Sequence, residues 1–143
     1  MAGNNLPIYT RVGDIQWSSL LITASNPNTD ITGGISYLAF TADATNGGYV
    51  QRIRFKPISN TGNNNVATVA RVYLNNGSST GSSGNNTLID EISLPATTGV
   101  VNAALPVYEL PLNLAMPPGY TIYVTLGTTV AAGYRVAVIG GKY

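Results

Sequence analysis

Apolar residues recur at every second position along most of this chain, and that period sets what it can fold into. Side chains on a strand point alternately to opposite faces, so a period of two buries one face and wets the other. Tyr120, Ile122, Val124 and Leu126 alternate with Thr121, Tyr123 and Thr125. Val66, Thr68, Ala70, Val72 and Leu74 alternate with Ala67, Val69, Arg71 and Tyr73. Tyr108, Leu110, Leu112 and Leu114 alternate with Glu109, Pro111 and Asn113. Pro111 cannot donate to a ladder and so marks an edge strand or a bulge. Within residues 49–56, Ile53 and Phe55 face one way while Arg52, Arg54 and Lys56 face the other. Weaker segments at 15–23, 35–42, 87–94 and 134–139 bring the expectation to about eight strands. No window carries the i, i+3, i+4, i+7 stripe of an amphipathic helix. Only 15–24, where Gln16-Trp17-Ser18-Ser19-Leu20-Leu21 breaks the alternation, could be read as one.

Turn signals separate these segments. Asn46-Gly47-Gly48 after Asp43 suits a tight hairpin, because Asn and Gly accept positive φ cheaply. Residues 59–65 and 75–86 read as polar loops with nothing to bury, and Pro117-Pro118-Gly119 presets a sharp turn. The pattern predicts an all-β, single-domain antiparallel β-sandwich, jelly-roll-like, with an open barrel as the other arrangement. Residues 15–143 form that domain. Residues 1–14 hold Leu6, Pro7, Ile8, Tyr9 and Val12 without strand alternation. They are either a frayed terminus or an N-terminal arm whose apolar side chains bury against another chain.

Composition narrows the chemistry. The 143 residues include no His and no Cys. That removes the commonest acid–base catalyst, thiolate nucleophiles, cysteine-based metal sites and every triad built on His. Seven basic and six acidic residues make 13 charges, or 9%, against roughly 25% in an ordinary soluble domain. A net charge of +1 argues against a basic nucleic-acid binder. No apolar run approaches the ~18–20 residues of a membrane span. The first residues lack a positive cluster followed by an apolar stretch, so no cleavable export signal is expected and synthesis in a cytoplasm is.

Constellations for catalysis are sparse. Asp90 and Glu91 are neighbours on an expected strand and point to opposite faces, so they cannot act as a carboxylate pair. A glycosidase needs two carboxylates about 5–10 Å apart, which Glu109 could supply only by tertiary accident. Asn26, Asn28, Thr29 and Asp30 offer oxygens for a loop calcium but not a run of acids. The Gly-Ser-Ser-Thr-Gly-Ser-Ser-Gly segment has no lysine to meet a phosphate. No cofactor, metal or enzymatic activity is expected. Arg52, Arg54 and Lys56 line one face of one strand. They either pair with Asp90, Glu91 or Glu109 on a neighbouring strand, or form an outward basic ladder that docks on an acidic protein surface. Three charges are too few for strong non-specific DNA binding. Trp17 and the strand tyrosines are either core or a platform for sugars or proteins.

Several stretches resemble small structural proteins of tailed bacteriophages: Val50-Gln-Arg-Ile-Arg-Phe-Lys56, Asn65-Val-Ala-Thr-Val-Ala-Arg-Val-Tyr-Leu-Asn-Asn-Gly77 and Asn85-Asn-Thr-Leu88. Glu91-Ile-Ser-Leu-Pro-Ala-Thr-Thr98, Leu114-Ala-Met-Pro-Pro-Gly-Tyr120, Val124-Thr-Leu-Gly-Thr-Thr-Val-Ala-Ala-Gly133 and Leu6-Pro-Ile-Tyr-Thr-Arg-Val-Gly-Asp-Ile-Gln-Trp17 carry the same likeness. The resemblance implies a decoration, or cement, protein. It would be made in the bacterial host cytoplasm and sit as a homotrimer on the major capsid protein of the virion shell, with no nucleic-acid or membrane partner. It is also compatible with a neck, tail or head-fibre component. On this reading Tyr9, Arg11, Arg52, Arg54 and Lys56 are the candidate capsid or intersubunit contacts. A carbohydrate-binding β-sandwich module, using exposed Tyr and Trp17, is the alternative of a different class.

Overall fold

The computed structural model describes residues 10–58 and 64–143. Eight strands follow in order: β1 (Val12–Trp17), β2 (Tyr37–Thr41), β3 (Gly48–Pro57), β4 (Thr68–Asn75), β5 (Asn86–Leu94), β6 (Tyr108–Met116), β7 (Thr121–Leu126) and β8 (Tyr134–Lys142). The one helical element among the described residues is a single 3-10 turn at Ser83–Asn85. Each expected strand thus has its counterpart, and the segment around Trp17 is extended, not helical.

The strands form two four-stranded sheets, β1-β8-β3-β6 and β2-β7-β4-β5. All pairings between them are antiparallel. Four of these pairs, β1/β8, β2/β7, β3/β6 and β4/β5, make one ribbon running from the chain ends to the β4–β5 hairpin. Rolling the ribbon adds the β3/β8 and β4/β7 pairs. The antiparallel β-sandwich expected from the periodicity is therefore what the chain forms. Phe40, Val50, Ile53, Phe55, Val72, Ile122, Val124, Leu126, Tyr134, Val136 and Val138 are wholly buried in the core.

Three local expectations meet a different outcome. First, the turn at Asp43 is not a hairpin. Gly47 takes φ 75° and its N–H donates to the Asp43 carbonyl at 3.0 Å, but β2 pairs with β7 while β3 pairs with β6 and β8. The turn is a corner between the sheets. The Pro117-Pro118-Gly119 turn is a second corner, with Gly119 at φ 75° and the Tyr120 N–H donating to the Pro117 carbonyl at 3.3 Å. Gly119 N–H also reaches the Asp43 carbonyl at 3.3 Å, so the corners support each other.

Second, β1 begins at Val12, inside the segment assigned to an arm. Val12, Gly13 and Asp14 pair with Lys142, Gly141 and Gly140, so β8 runs through its glycines and backbone pairing wins where side-chain alternation is weak. Residues 1–9 of the expected arm, including Tyr9, lie outside the described residues.

Third, the polar loops do bury groups. Asn65 and Asn75 are 2% and 1% exposed. Asn65 Oδ1 accepts from the N–H groups of Ala132 and Gly133, and its Nδ2 donates to the Gly133 carbonyl. Asn75 donates to Asn86 Oδ1 and accepts from Gly77 N–H and the Thr121 hydroxyl. A short amide can stand in for backbone partners where no strand is available.

Pro111 fits both of its expected settings. β6 is the edge of its sheet, and its register with β3 shifts between Val50 and Arg52. Val50 faces Leu114 while Arg52 faces Pro111, so β6 carries one extra residue there, beside Asn113 at φ 48°. At the other side of the sandwich β1 and β2 are both edges. Gln16 bridges them, donating from Nε2 to the Thr41 carbonyl at 2.9 Å and accepting the Thr41 N–H at 2.9 Å. One side chain thereby satisfies a stretch of open edge.

Candidate functional site

The site is the outer face of the β1-β8-β3-β6 sheet. Ile53 pairs with Val138 and Phe55 with Val136, and these four are wholly buried, so the intervening residues face out. One outward row runs Trp17, Ala137, Arg54, Glu109 across the four strands. The next runs Ile15, Ile139, Arg52, Pro111. In a third row Arg135 lies directly opposite Lys56. Trp17 is 65% exposed and Ile15 59%, so the face grades from an apolar stripe on β1 to a cationic ladder on β3.

Arg52, Arg54 and Lys56 are thus brought together on the outward face, as their alternation predicts. Of the three expected carboxylate partners only Glu109 takes the ladder, with Arg54 Nε at 3.0 Å and Arg52 Nε at 3.6 Å. Glu91 instead pairs with Arg71 at 2.8 Å on the other sheet. These pairs are at the surface, where each contributes about 0–1 kcal/mol. Lys56 Nζ donates to the Leu105 carbonyl. Four cations, Arg52, Arg54, Lys56 and Arg135, against the one carboxylate of Glu109 leave the face with a charge of +3.

Arg135 is the residue that sequence reasoning passes over. Its outward direction follows from Val136 and Val138 pointing in, but only the register puts it beside Lys56. Arg54, Lys56, Val107, Arg135 and Ala137 line a depression of about 270 Å³. Arg11 does not join them. Its N–H donates to the Lys142 carbonyl, seven positions along β8 from Arg135, or roughly 23 Å at ~3.3 Å per residue. Tyr9 lies outside the described residues.

The tyrosines divide. Tyr73 and Tyr134 are wholly buried and Tyr37 is nearly so, so none of them can stack on a sugar. Desolvation is the first cause pushing the Tyr73 and Tyr134 hydroxyls above the ordinary tyrosine value. Tyr73 donates to the Asn28 carbonyl, which ties the loop before β2 over the outer face of the other sheet. Among the described residues Tyr49, Tyr108, Tyr120, Tyr123 and Tyr143 are half-buried, and Trp17 is the exposed aromatic.

The carboxylates are spread apart. Asp90 and Glu91 stand on β5 and Glu109 on β6, in different sheets. Asp14 accepts from the Gln16 amide, and Asp90 from the Glu91 N–H. Asp30 accepts from the Thr32 hydroxyl and N–H, and these two bonds hold its carboxyl below the usual range. Asn26, a neighbour in the candidate calcium loop, is buried and bonded to Ile31 and Asn28. Among the described residues no three acidic side chains gather to hold a metal. The arrangement as a whole suits adhesion through a mixed apolar and cationic face. The chain matches no family model, no curated protein and no solved structure.

Proposed function

We propose that this chain is a non-enzymatic virion protein of a tailed bacteriophage that binds the capsid surface and stabilises the shell by bridging capsomers. The observation that carries this reading is the outer face of the β1-β8-β3-β6 sheet, where exposed Trp17 and Ile15 stand beside an excess of cations. An aromatic anchor flanked by arginines is the composition of a protein-binding patch. The rolled ribbon of strands is read as a jelly roll, a rigid frame with little to lose on docking. The major capsid protein is the proposed partner and a homotrimer the proposed state, with three to four cations too few to hold nucleic acid firmly. Many copies on a lattice turn modest single contacts into a large summed stabilisation.

The test is fractionation of purified virions followed by heating. The chain is expected in the head fraction, and heads stripped of it should rupture at a lower temperature. Heads rebuilt with a W17A/R54E variant should behave as stripped ones. Absence from virions, or presence in the tail fraction alone, refutes the capsid assignment.

Trp17 itself favours a second reading, a carbohydrate-binding module, since an indole 65% exposed on a sheet face can stack on a sugar ring. Glycan-array binding that disappears in W17A would establish it in place of the first, and silence across a broad array would dismiss it.

A further inference from the structure

We infer that the depression between β3 and β8, lined by Arg54, Lys56 and Arg135 with Val107 and Ala137, is a carboxylate-binding site for an acidic side chain on a partner protein's surface. The inference deepens the docking reading above, on which it rests for the source of the partner, by naming the chemistry that the partner presents.

The first ground is an unbalanced charge. Lys56 and Arg135 stand directly opposite each other on neighbouring strands and on the same outward face. Like charges so placed destabilise a sheet unless an anion lies between them. Five of the chain's six acidic residues are engaged away from the depression, and Glu109 is held at its Arg54 wall. Asp14 holds Gln16, Asp30 holds Thr32, Asp43 holds the N–H groups of Thr45 and Asn46, and Asp90 holds the Glu91 N–H. Glu91 is on Arg71, and Glu109 is shared by Arg52 and Arg54. Residues 1–9 and 59–63 contain no Asp or Glu, so no acidic side chain can arrive from them. None of these bonds or ion pairs puts a carboxylate on Lys56 or Arg135, and Lys56 meets the neutral Leu105 carbonyl, so the pair is open to a carboxylate from a partner.

The second ground is shape and surroundings. About 270 Å³ has room for an acidic side chain, and the apolar side chains of Val107 and Ala137 in the lining lower the local dielectric around a bound charge. Glu109 meets Arg54 at Nε, and a guanidinium carries further donors in a fork that fits a carboxylate in bidentate fashion. Ala137 continues the row to exposed Trp17, so an apolar neighbour of the acidic residue has a surface waiting for it. That combination of apolar stripe and cationic pocket selects a protein surface over a free inorganic anion.

The experiment titrates the full chain with the peptide Ac-Leu-Glu-Glu-Leu-NH2, its Gln-Gln counterpart and inorganic phosphate at constant ionic strength, followed by amide chemical shifts. The Glu peptide should move the signals of Lys56, Val107, Arg135 and Ala137 saturably, and the Gln peptide should not. R135Q should weaken binding by about three- to tenfold, and K56Q should repeat the effect if R135Q folds poorly. Without peptide, R135Q should melt about 1–2 °C higher, because the opposed charges are relieved. Equal binding of the Gln peptide, phosphate binding at least as tight as the Glu peptide, or a lower melting temperature with unchanged affinity in both variants overturns the site. Absence from virions with Glu-peptide binding intact would sink the virion reading alone. Presence on heads with R135Q indifferent to the peptide would sink the carboxylate site alone.

Discussion

Replacing Asn65 by alanine should cost this sandwich about 3 kcal/mol, although the residue lies between strands in a segment of polar composition. Asn65 Oδ1 is the acceptor for Ala132 N–H at 3.1 Å and Gly133 N–H at 2.8 Å, and all of these atoms are buried. Its Nδ2 donates to the Gly133 carbonyl at 3.1 Å, but that carbonyl also accepts the Ile58 N–H at 3.0 Å and would stay satisfied. The variant therefore orphans two buried N–H donors. Each costs about 1–3 kcal/mol, a total of about 2–6, with the lower half favoured if water enters the space left by the amide. Urea unfolding followed by tryptophan fluorescence at Trp17 and by circular dichroism measures the loss, and melting should fall by about 10 °C. Asn64 is the control, since it is exposed and makes one long bond to Gly99 N–H at 3.3 Å. N64A should stay within about 0.5 kcal/mol of the parent. If N65A unfolds within about 0.5 kcal/mol of the parent, or no worse than N64A, then the loop is not held by this side chain and the hydrogen-bond argument fails.

Two further outcomes are expected. The Asp43 carboxyl is held below its ordinary 3.8, first by the N–H of Asn46, then by that of Thr45, with Lys142 adding a smaller attraction. A lowered folded pKa gives stability that is fully present above the unfolded value and is lost as pH falls through the folded one. The stability gap between parent and D43A should be flat above about pH 5 and narrow below 3.8, and a gap constant down to pH 2 would count against it. A methyl at Gly140 would sit 2.1 Å from the Tyr49 carbonyl oxygen and 3.1 Å from Val50 Cα, both backbone atoms that cannot step aside. G140A should cost about 1–3 kcal/mol or more, whereas G13A, with nothing within 4 Å of its new methyl, should be close to neutral by thermal melting.

The outer face of the β1-β8-β3-β6 sheet was partly legible in the sequence. Ile53 and Phe55 against Arg52, Arg54 and Lys56 is a statement about one strand, and the pleat enforces it wherever that strand goes. Pro111 likewise announces an edge and a bulge, because its missing N–H is a property of the residue itself. Arg11 shows the limit: nothing local distinguishes it from the ladder cations, yet strand pairing carries it to the far end of β8.

The residues alone therefore settle the class of fold, the two faces of β3, β4, β6 and β7, and the absence of imidazole and thiol chemistry. All of these depend on the side chains and on a period of two. That the Asp43 turn is a corner, that Asn65 is buried and bonded to Gly133, and that Arg135 faces Lys56 follow from the packed sheets. Those depend on which strands pair and in what register, a choice made by the burial of the whole core and not by any segment of it.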